Sequence, residues 1–283
     1  MLNIFKIEGE ISKKTSLIIS VIGFLLLLII WQLITSFGNI SSSILPSPYK
    51  VLSSFGDLFY NEHLVTNAWF SIKLNLLGYV EAVLISIPLG FLMGLIPFFR
   101  SLISKYFDAF RFLPLPAITG IFVAWFGLEI AMKVHFLSFG IMLYLIPVIV
   151  QRIDEIEKIH KQTITTLGAS AWNKIKHLYF PYTISKISDD IRVLVAISWT
   201  YIVIVELLNK EGGLGAMIFT AAKQSRTDYI FALVLIIILF GYIQDLLFRM
   251  VDKIAFPFKY DGQVKTRLFN KINSLIFKNN GNI

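Results

Sequence analysis

Long apolar runs alternate with short polar and basic segments along almost the whole chain. The first run, at residues 17–37, is almost uniformly apolar. A helix rises about 1.5 Å per residue, so roughly 20 apolar residues cross about 30 Å of hydrocarbon. Five further runs are long enough to do the same, at about 65–98, 107–127, 132–150, 184–208 and 229–250. The pattern predicts an all-α polytopic membrane protein with six transmembrane helices.

Proline marks the ends and the irregular points of these runs. Ser47 is predicted as an N-cap, with Pro48 at the first helical position, where the missing N–H is not needed. A short amphipathic helix to about Phe59 should follow, outside the membrane. Pro114 and Pro116 would break a soluble helix, but neighbouring helices of a membrane bundle satisfy the freed backbone groups. We therefore expect a single third span over 107–127.

A polar and basic segment at residues 151–182 separates the fourth and fifth apolar runs. Gly168 suits the C′ position of a helix over 153–167, because a residue without a Cβ adopts the left-handed conformation at little cost. That helix should carry one apolar stripe, formed by Ile153, Ile156, His160, Ile164 and Leu167.

A second short helix is predicted directly after Gly168. Ser170 would be its N-cap, with the hydroxyl accepting a backbone N–H of the first turn. Its apolar face would consist of Trp172, Ile175 and Tyr179, which recur at helical spacing. Pro181 is expected to end this helix.

The distribution of charge predicts an orientation in the membrane. The chain has 26 Lys and Arg against 18 Asp and Glu, and most of the basic residues lie in the N-terminal flank, after the second run, and in residues 151–192 and 249–283. The few on the opposite side are Lys50, Lys133, Lys210, Lys223 and Arg226, with Lys73 inside a span. Since Lys and Arg stay in the cytoplasm, both termini and the turn at Gly168 should be cytoplasmic. No continuous basic patch indicates nucleic-acid binding.

Composition excludes several classes of protein. With 56% hydrophobic residues and a mean hydropathy of +0.71, the chain is not an ordinary soluble domain. It has no Cys, which excludes disulfides and a cysteine nucleophile, and no Gly-Lys dipeptide, which excludes a Walker A loop. The histidines His63, His135, His160 and His177 lack metal-ligand spacing. We expect no metal, no cofactor and no enzymatic activity.

A few residues within the spans are candidates for function. Ionisable groups at the bilayer centre cost about 2.5 to 3.5 kcal/mol each, so they seldom face lipid. Glu81 and Glu206 either lie on a translocation path or gate or bind a neighbouring helix; near the outer end of its span, Glu206 fits a structural partner better. Trp125 either packs in the core or lines the path. Lys73 is expected to extend to the interface.

The cytoplasmic segment resembles a known motif. Gly168, Leu178, Phe180 and Pro181 have the spacing of the cytoplasmic EAA loop of ABC importer permeases, although Gln162, Thr163 and Ile164 stand where that family has Glu-Ala-Ala. In the family this loop is the coupling element and is seated in a groove of the ATPase subunit. The resemblance implies coupling contacts from Gly168, Ala169, Ser170, Trp172, Lys174, Leu178 and Pro181.

Other motifs extend the resemblance over about residues 40–255, to the nitrate/sulfonate/taurine branch of these permeases. They are Leu45-Pro46-Ser47-Pro48, Pro114-Leu115-Pro116 with Trp125-Phe126-Gly127, Leu167 to Ser170, and Glu206-Leu207-Leu208 with Gly212-Gly213-Leu214-Gly215. The resemblance implies a type I ABC importer permease fold in the inner membrane of a bacterium. It also implies two ATPase subunits, an external solute-binding protein and a second permease subunit, either identical or a paralogue.

The resemblance divides the chain into three parts. Residues 1–63 would hold the first span and the external segment, 64–256 the permease core with its coupling loop, and 257–283 a basic cytoplasmic tail. In the tail Val264, Leu268, Ile272 and Leu275 form either an interfacial amphipathic helix or a solvated segment. Branch members carry oxyanions and sulfonates, but also vitamin-like solutes and pyrimidine precursors. An ion-gradient-driven transporter and a membrane scaffold are the alternatives to an ABC permease.

Overall fold

The computed structural model describes residues 11–208 and 212–260, and all regular structure within them is helical. The predicted amphipathic helix of the tail and the basic residue Lys6 lie outside these ranges. The α-helices are α1 Lys13–Phe37, α2 Pro48–Tyr60, α3 Leu64–Leu95, α4 Pro97–Phe110, α5 Thr119–Phe126, α6 Ile130–Asp154, α7 Lys158–Thr166, α8 Ala171–Lys174, α9 Phe180–Leu208, α10 Leu214–Lys223 and α11 Thr227–Ala255. A 3-10 turn, Leu115–Ile118, precedes α5, and a π turn, Ile175–Tyr179, joins α8 to α9.

Four of these helices, α1, α3, α6 and α11, are each long and apolar enough to cross a membrane in the part of the chain described. The pair formed by α4 and the segment Leu115–Phe126 qualifies only jointly, as a fifth, because it is bent by 102°. The predicted fifth run lies within α9, which is 29 residues long and adjoins the undescribed residues 209–211. The observed count is therefore four, or five with the bent pair.

The run predicted as the third span, 107–127, is not one continuous helix. Helix α4 ends at Phe110, and the chain turns sharply before the 3-10 helix begins at Leu115. Pro114 and Pro116 explain the break, since each lacks a backbone donor and each disfavours helical conformation in the residue before it. The bend separates α4 from α5 and, as described below, leaves a cavity beside it.

Helices α3 and α6 form the centre of the bundle. Gly78 on α3 packs against Leu137 on α6, and further along both helices Gly90 packs against Ile149. The two helices therefore run parallel. A Cβ built on Gly90 would come within 2.7 Å of the Ile149 side chain. Small residues at such contacts let the backbones approach closely, which is how membrane helices gain packing energy without a hydrophobic driving force between them.

A buried polar cluster attaches α9 and α11 to this centre. Asn75 Nδ2 donates to Ser198 Oγ at 2.9 Å, and Gln244 Nε2 donates to Asn75 Oδ1 at 3.3 Å. The indole N–H of Trp199 completes the cluster by donating to Gln244 Oε1 at 2.8 Å. Because these polar side chains donate to and accept from each other and not water, they hold helices α3, α9 and α11 at fixed relative positions.

Helix α1 stands at the edge of the bundle and has no buried residue. Trp31 is its main attachment: the indole N–H donates to the carbonyl oxygen of Pro46 at 3.0 Å, and its ring centroid lies 5.5 Å from that of Phe231 on α11. The first apolar run therefore forms a helix that is exposed along almost its whole length, as expected for a span surrounded by lipid.

We expect Gly90→Ala to lower the thermal stability of the detergent-solubilised protein. The new methyl group would overlap Ile149, and overpacking of this kind costs about 1 to 3 kcal/mol. Gly23→Ala on α1 is the matched control, because nothing lies within 4 Å of the added Cβ. Equal melting temperatures for the two variants would contradict the close packing of α3 on α6.

Candidate functional site

The segment between α6 and α9 begins with an ion-paired turn. Arg152 donates from Nε and Nη2 to both oxygens of Asp190 on α9, at 2.8 and 2.7 Å, and from Nη1 to Glu155 at 2.7 Å. The hydrogen bond from Arg152 lowers the pKa of Glu155. The bidentate contact attaches the start of this segment to α9.

The helix predicted over 153–167 is wrong in its start, because α6 continues to Asp154 and α7 begins only at Lys158. Ile153 and Ile156 are both 2% exposed and belong to the bundle, whereas Leu167 is 78% exposed. The predicted stripe is therefore divided into a part packed in the bundle and an exposed part. The turn at residues 155–157 lies between α6 and α7 and interrupts the stripe.

The turn at Gly168 and Ser170 has the predicted geometry. Gly168 has a φ of +73°, and the N–H of Ala169 donates to the carbonyl oxygen of Ile164 at 3.3 Å, which closes the end of α7. Ser170 caps the next helix, with Oγ accepting the N–H of Asn173 at 3.3 Å. No atom lies within 4 Å of a Cβ built on Gly168, so glycine is needed there for its backbone conformation alone.

The expectation that Pro181 ends the second helix is wrong. Helix α8 passes into the π turn and then into α9, which includes Pro181 as its second residue. Pro181 has no backbone N–H, so the carbonyl oxygen of residue 177, four residues earlier, lacks its usual helical hydrogen-bond donor. The π turn widens the helix at this point, with the N–H of Phe180 donating five residues back to Ile175. One continuous helix, which we call the rod, thus runs from Ala171 to Leu208.

The residues predicted to couple to an ATPase lie on and beside this turn. Gly168, Ser170, Trp172 and Pro181 are exposed, while Ala169, Lys174 and Leu178 are half-buried. Trp172, on the apolar face predicted for the second helix, is 69% exposed. Leu167 and Ile159 on the preceding segment are exposed as well.

Glu206 lies near the opposite end of the same rod and is completely buried. Its carboxylate accepts the hydroxyl of Ser71 at 2.6 Å and the N–H of Gly215 at 2.7 Å. The Ser71 hydroxyl in turn accepts the N–H of Leu214 at 2.9 Å. The carboxylate therefore sits at the N-terminus of α10, where the helix dipole favours negative charge.

The glycines after Glu206 make this contact feasible. Gly213 has a φ of +105°, and a Cβ there would lie 2.3 Å from the carboxylate carbon of Glu206. Lys133, predicted among the outer basic residues, is instead fully buried, and its ammonium lies 5.2 Å from the ring centroid of Phe70. Sequence reasoning missed this residue because its position near the outer end of an apolar run looked solvent-accessible.

Glu81 and Trp125 are brought together at one cavity of about 530 Å³. The cavity also includes His135, whose Nδ1 lies 2.9 Å from Glu81 Oε1. No local pattern predicts this pair, because the two residues are far apart along the chain and on different helices. Glu206 is not at this cavity, so the three predicted pathway residues occupy two separate places.

We expect Glu206→Ala to destabilise the protein by about 1 to 3 kcal/mol, because it leaves the Gly215 N–H and the Ser71 hydroxyl buried without their acceptor. Glu206→Gln should destabilise the protein less, because its amide oxygen still accepts one of these two hydrogen bonds. Melting curves in detergent would measure both, with exposed Glu62→Ala as control. A Glu206→Ala protein that melts like the unmodified one would contradict the structural role of this carboxylate.

Two curated relatives resemble this chain over most of their length. A putative aliphatic sulfonates transport permease protein, SsuC, of Bacillus subtilis is 26% identical, covering 79% of this chain and 81% of the relative. The taurine transport system permease protein TauC of Escherichia coli is 24% identical, covering 92% and 95%.

A solved structure supports the fold. The inward-facing MetNI methionine ABC transporter aligns with a TM-score of 0.60 at 14% identity, covering 68% of this chain and 95% of that one. A family profile described as binding-protein-dependent transport system inner membrane component matches residues 86–254, from the second half of α3 almost to the end of α11. The chain therefore belongs to the ABC importer permeases, the non-catalytic inner-membrane subunits of binding-protein-dependent transport systems.

Proposed function

We propose that this chain forms, with a second copy of itself, the translocation path of an importer driven by two ATPase subunits and fed by an external solute-binding protein. The observation that carries the proposal is the exposed turn at Gly168, whose following helix continues without interruption into α9. A turn of this form offers a partner an apolar contact in Trp172. The rod behind it transmits any displacement into the membrane.

The proposed arrangement has six spans in a type I permease fold, formed by α1, α3, the bent pair of α4 and α5, α6, α9 and α11. Both termini and the Gly168 turn are cytoplasmic in this arrangement, and α2 and α10 lie outside. Three observations support it: the excess of basic residues on the proposed cytoplasmic side, the length of α9, and the similarity in fold to a solved ABC importer. Residues 151–182 are the proposed coupling loop.

The proposed mechanism is a lever. Closure of the ATPase dimer around ATP would displace the helix that begins at Ala171. Because that helix extends to Leu208, roughly 55 Å at 1.5 Å per residue, the displacement reaches Glu206 and with it α10. The two permease subunits would then rock from an inward-open to an outward-open arrangement and receive solute from the binding protein. ATP is bound by the partner subunits.

The proposed substrate is a small organic solute. The two relatives reported above are named for aliphatic sulfonates and taurine, and at about one quarter identity they support a solute of similar size and leave its charge open. Uptake that is lost on vanadate treatment would favour this proposal over an ion-gradient-driven transporter. Copurification of an ATPase in mild detergent would favour it over a membrane scaffold.

We expect Gly168→Val to leave the protein in the membrane but to uncouple ATP hydrolysis from uptake. A β-branched residue at a φ of +73° is strained by about 1 to 2 kcal/mol, so the turn and the start of the lever would shift. The matched control is Gly168→Asn, because asparagine tolerates the left-handed conformation and the space around the Cβ is open. ATPase activity and solute uptake in proteoliposomes measure the effect, and normal uptake by the valine variant would contradict the lever.

We also expect Trp172→Ala to weaken binding of the ATPase by about 2 kcal/mol, which corresponds to roughly 30-fold, as for a central aromatic contact of an interface. Trp69→Ala is the control, because Trp69 is exposed to a similar extent, 66% against 69%, but lies on α3 away from the turn. Retention of the ATPase on immobilised permease would measure the difference. Equal retention by the two variants would exclude Trp172 as a contact.

A further inference from the structure

The segment between α6 and α9 carries positive charge without any carboxylate to balance it. After Glu157, which directly precedes α7, the next acidic residue is Asp189. Between them the chain has five lysines, Lys158, Lys161, Lys174, Lys176 and Lys186, which are exposed or half-buried. A surface stretch with one sign of charge produces a potential that attracts groups of the opposite sign.

Helix α7 gathers two of these lysines on one polar face. The side chains at three- and four-residue spacing line an open depression of about 440 Å³: Lys158, Lys161, Gln162, Thr165 and Thr166. The helix has no buried residue. The hydroxyls of Thr165 and Thr166 donate to backbone carbonyl oxygens of the preceding turn, at 2.6 and 3.1 Å. The two ammonium groups and the Gln162 amide are therefore the donors that this face offers to a partner.

Arginines near the ends of this segment are paired within the bundle. Each donates to a carboxylate on another helix: Arg100 to Asp154 at 2.8 Å, Arg152 to Asp190 at 2.7 Å and Arg192 to Asp245 at 3.0 Å. Among the residues that the structure describes, neither Lys158 nor Lys161 has an ion-pair partner. The charge of α7 is thus not used to hold the permease together.

The missing carboxylate is also missing at a defined position. Gln162 stands where the EAA loop has Glu. A Glu at this position would lie four residues after Lys158, at the spacing of a helical ion pair, and would neutralise it. Membrane topology accounts for lysines on the cytoplasmic side, but acidic residues contribute little to topology. The lack of acidic residues in this segment therefore needs another explanation.

We propose that the polar face of α7 docks on an acidic surface of the ATPase subunit. Lys158 and Lys161 lie opposite Asp or Glu side chains of that subunit, and the Gln162 amide donates to one of them. Trp172, beyond the turn, supplies the apolar part of the same contact. Complementary charge speeds association and excludes partners whose surface is basic. This inference rests on the proposed function and specifies the chemistry of its ATPase partner.

The first test maps the contact by cross-linking. It uses the full-length permease and the ATPase subunit that copurifies with it, identified by mass spectrometry. A carbodiimide joins an ammonium to a carboxylate only where the two touch, so it should link Lys158 or Lys161 to an Asp or Glu of the ATPase. Lys105, exposed on α4, is the internal control and should form no such link. A complex in which neither α7 lysine is linked to the ATPase would overturn the proposal.

The second test reverses the charge. Lys158→Glu combined with Lys161→Glu should weaken binding of the same ATPase at least about tenfold, because like charges would then face each other. Gln162→Glu should weaken it by a smaller factor. Lys105→Glu combined with Lys253→Glu is the matched control, since it makes the same change in net charge at exposed positions outside the segment. Melting curves report the folding of each variant. Equal affinities for the two double variants would overturn the proposal.

Salt and lipid separate the ATPase from the membrane surface as the occupant of this face. Raising salt from about 0.1 M to about 1 M shortens the screening length from about 10 Å to about 3 Å, so it should weaken ATPase binding. Trp172→Ala should keep this salt dependence, and the doubly reversed α7 variant should lose it. The effect of charge reversal should persist in nanodiscs of phosphatidylcholine alone. An effect that requires anionic lipid would overturn the proposal and assign the lysines to the membrane.

The outcomes also separate this inference from the proposed function. An ATPase that binds equally well to the charge-reversed variant contradicts only the acidic surface, and the importer function stands. A permease with which no ATPase copurifies contradicts the importer function, and this inference fails with it.

Discussion

The π turn at Ile175–Tyr179 is the feature on which the rest of this structure depends, because it carries a helix past a proline. Without the wider turn, Pro181 would interrupt the helix between the turn at Gly168 and α9. With it, the exposed Trp172 and the buried Glu206 belong to one rod. One local hydrogen-bond pattern thus joins the Gly168 turn to the far end of α9, a continuity on which the proposed lever depends.

The membrane then decides which side chains hold the rod in place. In the described bundle the polar groups of α9 pair across to other helices: Asp190 binds Arg152, Ser198 binds Asn75, and Glu206 binds Ser71 together with the start of α10. Each pair lies at a different depth. Because hydrocarbon offers no alternative partners, these contacts define how α9 sits against α3 and α6. The contact of Glu206 with Gly215 also attaches α10 directly to α9.

Two proline effects with opposite outcomes shape the molecule. At Pro181 the helix absorbs the missing donor and continues, whereas at Pro114 and Pro116 the chain turns through a large angle and starts a new helix. The difference lies in the surroundings. Pro181 is near the start of α9, whereas Pro114 and Pro116 lie two residues apart and act together within one turn. The first outcome produces the proposed lever and the second produces the cavity beside Glu81.

The sequence by itself determined the class of the protein and the local turns. Apolar run length predicted the long helices α1, α3, α6 and α11, and the left-handed glycine at 168 and the capping serine at 170 were correct. The motif spacing led to the right family. These features depend on neighbouring residues or on hydropathy alone. Only the tertiary structure decided which distant side chains meet. The Glu81–His135 pair, the burial of Lys133 and the contact of Glu206 with α10 depend on the helix register and on the bend, which no local pattern encodes.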